Sequence, residues 1–572
     1  MKDSKKYIFM TVLLFLAAAL KFFNLGGKIE KIEKFRGAQL EEGIWNPLIA
    51  DTVNENELSV LVDNKKLTNQ KNGIYMDENL NIMVPFSDLR KNFNCSAQLY
   101  DRDKLVLEKR SDVVTFYLDE DSVTVNQKKE TISSPMTYKD GEFYVPAKTV
   151  AEYLDYNYDW DIEKNQAVVI NNAETASILP PQYDLRTKQR APQVKDQGIF
   201  GTCWAFAALS SMESALLPEE AQEFSPDHMS LQNSFMTKQA DGGEYTIGMA
   251  YLAAWQGPVY EKDDPYGDGQ SPDHLSAVKH VQEIQLIDSK DFEKIKEAVF
   301  QYGGVQTSIY SAQLEGENDS SYYNMEKSSY CYQGAEKQNH EIMIIGWDDN
   351  YPKENFNLEV EGNGAFLCQN SWGEQFGENG VFYVSYYDVN IGVHNVVYTG
   401  IEEADNYDNI YQSDLCGWTG QIGFVTGSIY GANAYTAKSD EVLRAAGFYA
   451  TGKETSYELY VVKNFENTDS LKKRILVAEG SLENAGFYTI KFDQEMEVAA
   501  GEKYAVVLHI TTPGSVHPMA VEYAADEFTA NVDVTDGEGY ISFAGNEWKS
   551  AEEDQSCNLC LKVYSDQREL KR

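Results

Sequence analysis

Cysteine is scarce in this chain, at seven in 572 residues. That density excludes a small scaffold stapled together by disulfides. Positive charge is short as well: 49 Lys and Arg face 90 Asp and Glu, a net of −41. The deficit runs along the whole length instead of sitting in one acidic tail. It argues against nucleic acid or an anionic membrane surface as a partner. Histidine is missing before His228, so the N-terminal third lacks the imidazoles a copper site would want. Apolar runs long enough to span a bilayer are missing too. The run Tyr7 to Leu20 covers only fourteen residues, behind Lys2, Lys5 and Lys6. That is the length of the apolar part of an export signal, and short for a membrane-crossing helix. Ala17-Ala18-Ala19 would support cleavage, whereas Lys21-Phe22-Phe23 directly after would suit an uncleaved anchor in contact with the membrane. Either way the bulk of the chain is expected to be exported, extracellular or attached to the cell surface.

What is present is organised around residues 192 to 206. Gln197 stands six residues before Cys203, with Gly198 and Gly201 between them. From Cys203 to Leu217 the chain reads as one helix, stopped by Pro218. A thiol on the first turn of a helix meets unpaired backbone N–H groups and the positive end of the helix dipole. Both favour the thiolate, the form a cysteine nucleophile needs. His340 follows 137 residues after Cys203 and opens the apolar run Ile342-Met-Ile-Ile345. Asn370-Ser371-Trp372 comes 30 residues after the histidine.

These pieces, in this order, resemble the active-site segments of papain-like cysteine peptidases. The family signature is Cys-Gly-[Ser/Ala]-Cys-[Trp/Tyr] with distant His and Asn partners. Here the segment reads Phe200-Gly201-Thr202-Cys203-Trp204, so two of its five positions depart. The resemblance implies a nucleophile at Cys203, a general base at His340 and an orienting amide at Asn370. It also implies Trp372 as a cover over the His–Asn hydrogen bond and Gln197 as an oxyanion donor. Ala240-Asp-Gly242-Gly243-Glu244 is similar to the Gly-Gly segment that pairs with an extended substrate. The disulfide that usually ties that loop would join positions 200 and 240. Phe200 and Ala240 stand there, which suggests apolar packing in its place. Glu341, directly after the histidine, replaces a small apolar residue of the pocket for the substrate's second side chain, so basic or polar side chains are expected there.

The flanking regions are β-rich. Residues 1–25 are read as leader or anchor and 26–50 as a spacer. Residues 51–172 carry a weak internal repeat in which Ile82-Met-Val-Pro-Phe86 matches Glu142-Phe-Tyr-Val-Pro146, each followed by a short helix. This pattern resembles the copper amine oxidase-like N-terminal modules, in a place where papain-like peptidases normally carry a helical inhibitory prosegment. The peptidase domain is expected over 178–400, opened by Leu179-Pro-Pro-Gln-Tyr-Asp-Leu-Arg186, with a helical left half and a β-barrel right half. Residues 405–566 alternate apolar and polar with frequent turns, as an antiparallel β-sandwich does, and resemble the lectin-like domain found after bacterial peptidases of this kind.

The expected class is therefore multidomain, an α+β catalytic unit between two β-rich units. No cofactor and no metal are called for. Asp159-Trp-Asp161-Ile-Glu163 lacks the glycine and terminal glutamate of a calcium loop, and Asp348-Asp349-Asn350 reads as a polar turn. Cys557-Asn-Leu-Cys560 on a strand would point its thiols to opposite faces. The expected activity is endopeptidase hydrolysis of polypeptides, with cell-surface carbohydrate as a second partner through the C-terminal unit. A silent surface adhesin, a Cys-dependent acyl transferase and an exopeptidase remain open alternatives.

Overall fold

The computed structural model describes residues 58–568 apart from 63–64, 69–72, 80, 94, 111, 162–165, 172–178 and 312–319. The expected leader, the spacer and Glu163 lie outside the described residues.

In the N-terminal unit the two Val-Pro strands, Ile82–Pro85 and Glu142–Pro146, pair antiparallel with Val84 opposite Val145. Each runs straight into a short helix, Phe86–Asn92 (α1) and Ala147–Tyr153 (α2). Proline suits that junction, because its missing N–H is one the first turn leaves unpaired anyway. The two repeats are not beads in series. The first strand, Ser59–Val62, lies parallel to the last, Gln166–Asn171. Val60, Val84, Leu107, Phe116, Val145 and Val169 thus fall into one shared core.

The central unit is built on a helix, Cys203–Leu216 (α3), whose residues Cys203 to Ser214 are all buried. A helix apolar on every side belongs in the middle of a core. Trp204, Ala208, Leu209 and Met212 pack with Tyr251 and Leu252 of the helix Tyr245–Ala253 (α4) on one side and with Val396 and Tyr398 on the other. The other half is an antiparallel sheet. Its strands run in the order Val381–Ser385, Ala365–Gln369, His340–Asp348, Val305–Ile309, Asn395–Glu403 and Lys279–Leu286.

That sheet continues into the C-terminal unit. Lys279–Leu286 pairs with the long strand Ala485–Val498, Ile284 opposite Phe487 and Gln285 opposite Gly486. The central and C-terminal units therefore share one hydrogen-bonded sheet. A second sheet, with Thr455–Val462, Lys503–Thr511 and Ser428–Thr436 at its centre, covers it as the other layer of a sandwich. Leu443, Phe448, Leu459, Val461, Val506 and Leu508 fill the space between. Among the described residues no helix is long and apolar enough to cross a membrane.

Candidate active site

Two neighbouring strands deliver the histidine and the asparagine. His340 begins its strand, opposite Ile309, and Asn370 comes directly after the strand Ala365–Gln369, whose Gln369 pairs with Met343. The two side chains meet with 2.7 Å between His340 Nε2 and Asn370 Oδ1. With Nε2–H donating to that oxygen, Nδ1 is the nitrogen free to act as a base. Asn370 Oδ1 also accepts the Ser371 backbone N–H at 2.8 Å, which holds the amide in one orientation. The Trp372 ring lies 4.8 Å from the imidazole, centroid to centroid. The four positions His340, Asn370, Ser371 and Trp372 form one cluster.

Cys203 opens α3, and Gln197 lies in the loop before it. Gln197 Oε1 accepts from Ser371 Oγ at 2.6 Å, and its Nε2 donates to Phe200 O at 2.8 Å. An amide nitrogen carries two hydrogens, so this contact uses one and leaves the other. The Gln197 backbone is tied to the far strand as well, its N–H donating to Ser371 O at 2.8 Å.

A groove of about 670 Å³ brings five of the predicted residues together. Its walls include Cys203, Gly242, Gly243, His340 and Glu341. Glycine is required at two contacts here. A Cβ on Gly201 would stand 2.8 Å from the Gly242 backbone, and one on Gly243 would stand 2.4 Å from the Trp204 indole nitrogen. The glycine loop thus lies directly on the first turn of α3. Of the two residues that stand where the family's disulfide would be, Phe200 is half-buried and Ala240 is exposed. The tie the structure shows between their segments is polar. Gly201 N–H donates to Gln239 O at 2.8 Å, and Gln239 Nε2 binds Asp227 and Ser230. All seven cysteines are free.

Glu341 sits on the groove floor, with 8 % of its surface exposed. Its carboxylate accepts from Ser308 Oγ at 2.8 Å and Gln306 Nε2 at 3.3 Å. Tyr398 OH donates to Gln306 Oε1, so the Gln306 amide faces the carboxylate with its nitrogen. Burial dominates all the same and pushes the Glu341 carboxyl up to about 7. Burial also pushes the Cys203 thiol up to about 12 and His340 down to about 4. The expected acid thiol is thereby corrected. The N–H groups of Cys203 and Trp204 do pull the thiol down, but by less than the removal of water pushes it up.

Sequence reasoning missed three supports. Lys195 Nζ and Glu213 Oε1 form a pair 2.5 Å apart behind the glutamine loop. Tyr266 OH donates to Gln197 O at 2.9 Å and lies 2.7 Å from Thr202 Oγ1. Asp526 and Phe528, from the C-terminal unit, line the groove. These contacts join residues far apart in the chain, and only Glu213 left a local signal, as a lone acid in an apolar helix.

Residues 179–401 match the family model described as papain family cysteine protease, residues 61–170 copper amine oxidase N-terminal domain, and residues 410–565 lectin like domain. A viral cathepsin of Heliothis zea nuclear polyhedrosis virus is 27% identical over 208 residues, 35% of this chain and 51% of that protein. The chain thus spans about half the length of that curated relative. Among solved structures, the clostridial cysteine protease Cwp84 after propeptide cleavage superposes with TM-score 0.61 at 24% identity, over 68% of this chain and 99% of that one. The cysteine protease and lectin-like domains of Cwp84, a surface layer associated protein of Clostridium difficile, superpose with TM-score 0.60 at 24% identity, over 69% and 90%. At that identity the likeness is one of fold. The chain therefore consists of a papain family cysteine protease domain set between a copper amine oxidase N-terminal domain and a lectin-like domain.

Proposed function

We propose that the chain is a cysteine endopeptidase that hydrolyses polypeptides through Cys203, His340 and Asn370. The observation that carries this reading is the 2.7 Å contact to Asn370 of His340, which lines a groove together with Cys203. With thiol and imidazole both neutral while buried, the proton moves from Sγ to the imidazole as sulfur attacks the carbonyl carbon. The oxyanion takes the second amide hydrogen of Gln197 and the Cys203 backbone N–H. The imidazolium then protonates the departing amine as the C–N bond breaks, and water returns the acyl group from sulfur as a carboxylic acid. Asn370 keeps the ring turned for both transfers, and Trp372 shields that hydrogen bond from water.

Cys203→Ala should abolish cleavage of a peptide blocked at both ends, and Gln197→Ala should lower kcat by about 10²- to 10³-fold. Cleavage only of free termini would make the protein an exopeptidase. Transfer of the acyl group to an added amine in preference to water would make it a transferase. No turnover at all would leave the adhesin. The exported location is read from the Tyr7–Leu20 run behind three lysines.

For the C-terminal domain we infer carbohydrate binding on the outer face of its second sheet. A recess of about 500 Å³ there is lined by Ser456, Glu458, Glu479, His509 and Thr511. His509 links Glu458 at 2.6 Å to Ser428 at 2.8 Å, and Tyr430 stacks on its ring at 3.9 Å. This fixed row of donors and acceptors beside an aromatic face suits sugar hydroxyls. Loss of glycan-array binding in Glu458→Gln would support it, and unchanged binding would remove it.

A further inference from the structure

The two residues that reach the groove from the lectin-like domain have no part in the chemistry above. The groove wall that contains Cys203 and His340 also contains Asp526 and Phe528, more than 180 positions further along the chain than the histidine. They arrive on a short loop, which is pinned in three ways. Asp526 Oδ1 accepts the N–H of Phe528 at 2.9 Å and of Thr529 at 3.1 Å. Thr529, 3 % exposed, accepts the Ala525 N–H on its own hydroxyl at 2.8 Å. Phe528 O accepts the Met236 N–H at 2.8 Å, which ties the loop to the stretch of catalytic domain leading into Gly242 and Gly243. The shared sheet behind it, Ile284 opposite Phe487, sets the two domains in register. The loop is thus held against the groove by backbone on both sides.

We propose that this loop of the lectin-like domain builds part of the substrate site, with Phe528 and Asp526 as specificity-determining residues for a side chain beyond the second position on the amino side of the cut bond. The inference rests on the peptidase reading. The placement follows from the loop's attachment. Phe528 O holds the Met236 N–H, so the loop meets the groove between Phe235 and Thr237, on the stretch that leads into the glycine pair. The half-buried Phe528 and Phe235 offer apolar surface, while Asp526 is exposed. Around them the rim carries Asp241 and Glu244 against Lys337. A side chain with an apolar stem and a cationic end, lysine or arginine, matches such a wall. Its stem lies on the rings and its charge faces the carboxylate. Recognition of this kind sorts substrates and leaves the bond-breaking step unchanged.

The test uses the full chain and two peptide lengths. One fluorogenic substrate fills only the first two positions, and a set of longer ones varies the third among lysine, leucine and glutamate. Asp526→Asn keeps the oxygen that accepts the two loop N–H groups and removes only the charge. It should reduce the preference for lysine over glutamate by about threefold to fivefold, the worth of an exposed charge pair. Phe528→Ala should lower kcat/KM on long substrates by about fivefold or more through lost apolar contact. Both variants should hold the short substrate within about twofold of the unsubstituted protein. An equal fall on both lengths would mean that the loop only braces the catalytic domain, and unchanged rates on both would mean that it touches no substrate. Either result overturns the proposal. Absence of Cys203-dependent cleavage of the short substrate by the unsubstituted protein would instead bring down the peptidase reading, and this proposal with it.

Discussion

Glu341 is a carboxylate whose environment departs far from what its chemistry prefers. Burial lifts its carboxyl from the usual 4.5 to about 7. It therefore favours the folded state most when protonated, below the ordinary carboxylate range, and that contribution is lost as pH rises through about 7. The loss amounts to about 3 kcal/mol, from the linkage between pKa and stability. Glu341→Gln should remove this slope, so that the variant gains on the unsubstituted protein in thermal unfolding between pH 5 and pH 8, in the range set by the linkage. The same titration should act on substrates. A preference for Lys over Leu at the second position should grow from about pH 6 to about pH 8 as the carboxylate charges, and vanish in Glu341→Gln. A preference that is flat in pH would contradict this. Lys195 makes a second case. It is the partner of a carboxylate that is only 1 % exposed, Glu213. Lys195→Met should cost about 3 kcal/mol at neutral pH, as a stranded buried charge does. The cost should shrink as pH falls, because burial raises the Glu213 carboxyl and favours its protonated form.

At the scale of elements, what could be read from the sequence was local. The helix from Cys203, the strand after His340 and the short helices after each Val-Pro are patterns within about ten residues, and each is found where it was expected. Of the residues that spacing assigned to one site, Cys203, Gly242, Gly243, His340 and Glu341 line one groove, and Asn370 meets His340. What lay hidden were pairings between distant segments, for which periodicity carries no information. The parallel meeting of Ser59–Val62 with Gln166–Asn171 turns two repeats into one interlaced unit. The junction of Lys279–Leu286 with Ala485–Val498 turns two domains into one sheet. Gly486 stands at the second. Its φ of +144° and a Cβ position 2.0 Å from Ile284 O leave room for no other residue. Gly486→Ala should therefore open the sheet at that seam. Limited proteolysis should then separate catalytic and lectin-like fragments that stay joined in the unsubstituted protein. Resistance equal to the unsubstituted protein would show that the seam tolerates a side chain.

For the whole molecule, the position of the N-terminal unit bears on regulation. Its described residues touch the catalytic domain at Phe300, Glu219 and Lys188: Ser96 Oγ donates to Phe300 O, Leu99 N–H to Glu219, and Tyr100 OH to Lys188 O. Glu108 adds an ion pair to Lys188 at 2.7 Å. Glu219 lies just beyond the C-terminal end of α3, about 20 Å along the helix from Cys203. No described residue of this unit lines the groove. Ser96→Ala combined with Glu108→Ala should thus lower thermal stability, by about 1 kcal/mol for each contact, and leave kcat/KM unchanged. A rise in activity would mean that the unit restrains the site.

The measurement that reaches the central claim most directly is mass-spectrometric mapping of an epoxysuccinyl peptide label on the full chain. All seven cysteines are buried, and burial raises the thiols of Cys331 and Cys416 to about 12, as it does that of Cys203. Thiol acidity therefore does not single out the nucleophile. The proposal rests on position instead, in a groove that also holds His340. The account predicts label on Cys203 alone, and its loss in His340→Ala. Label spread over other cysteines, or none on Cys203, would contradict it.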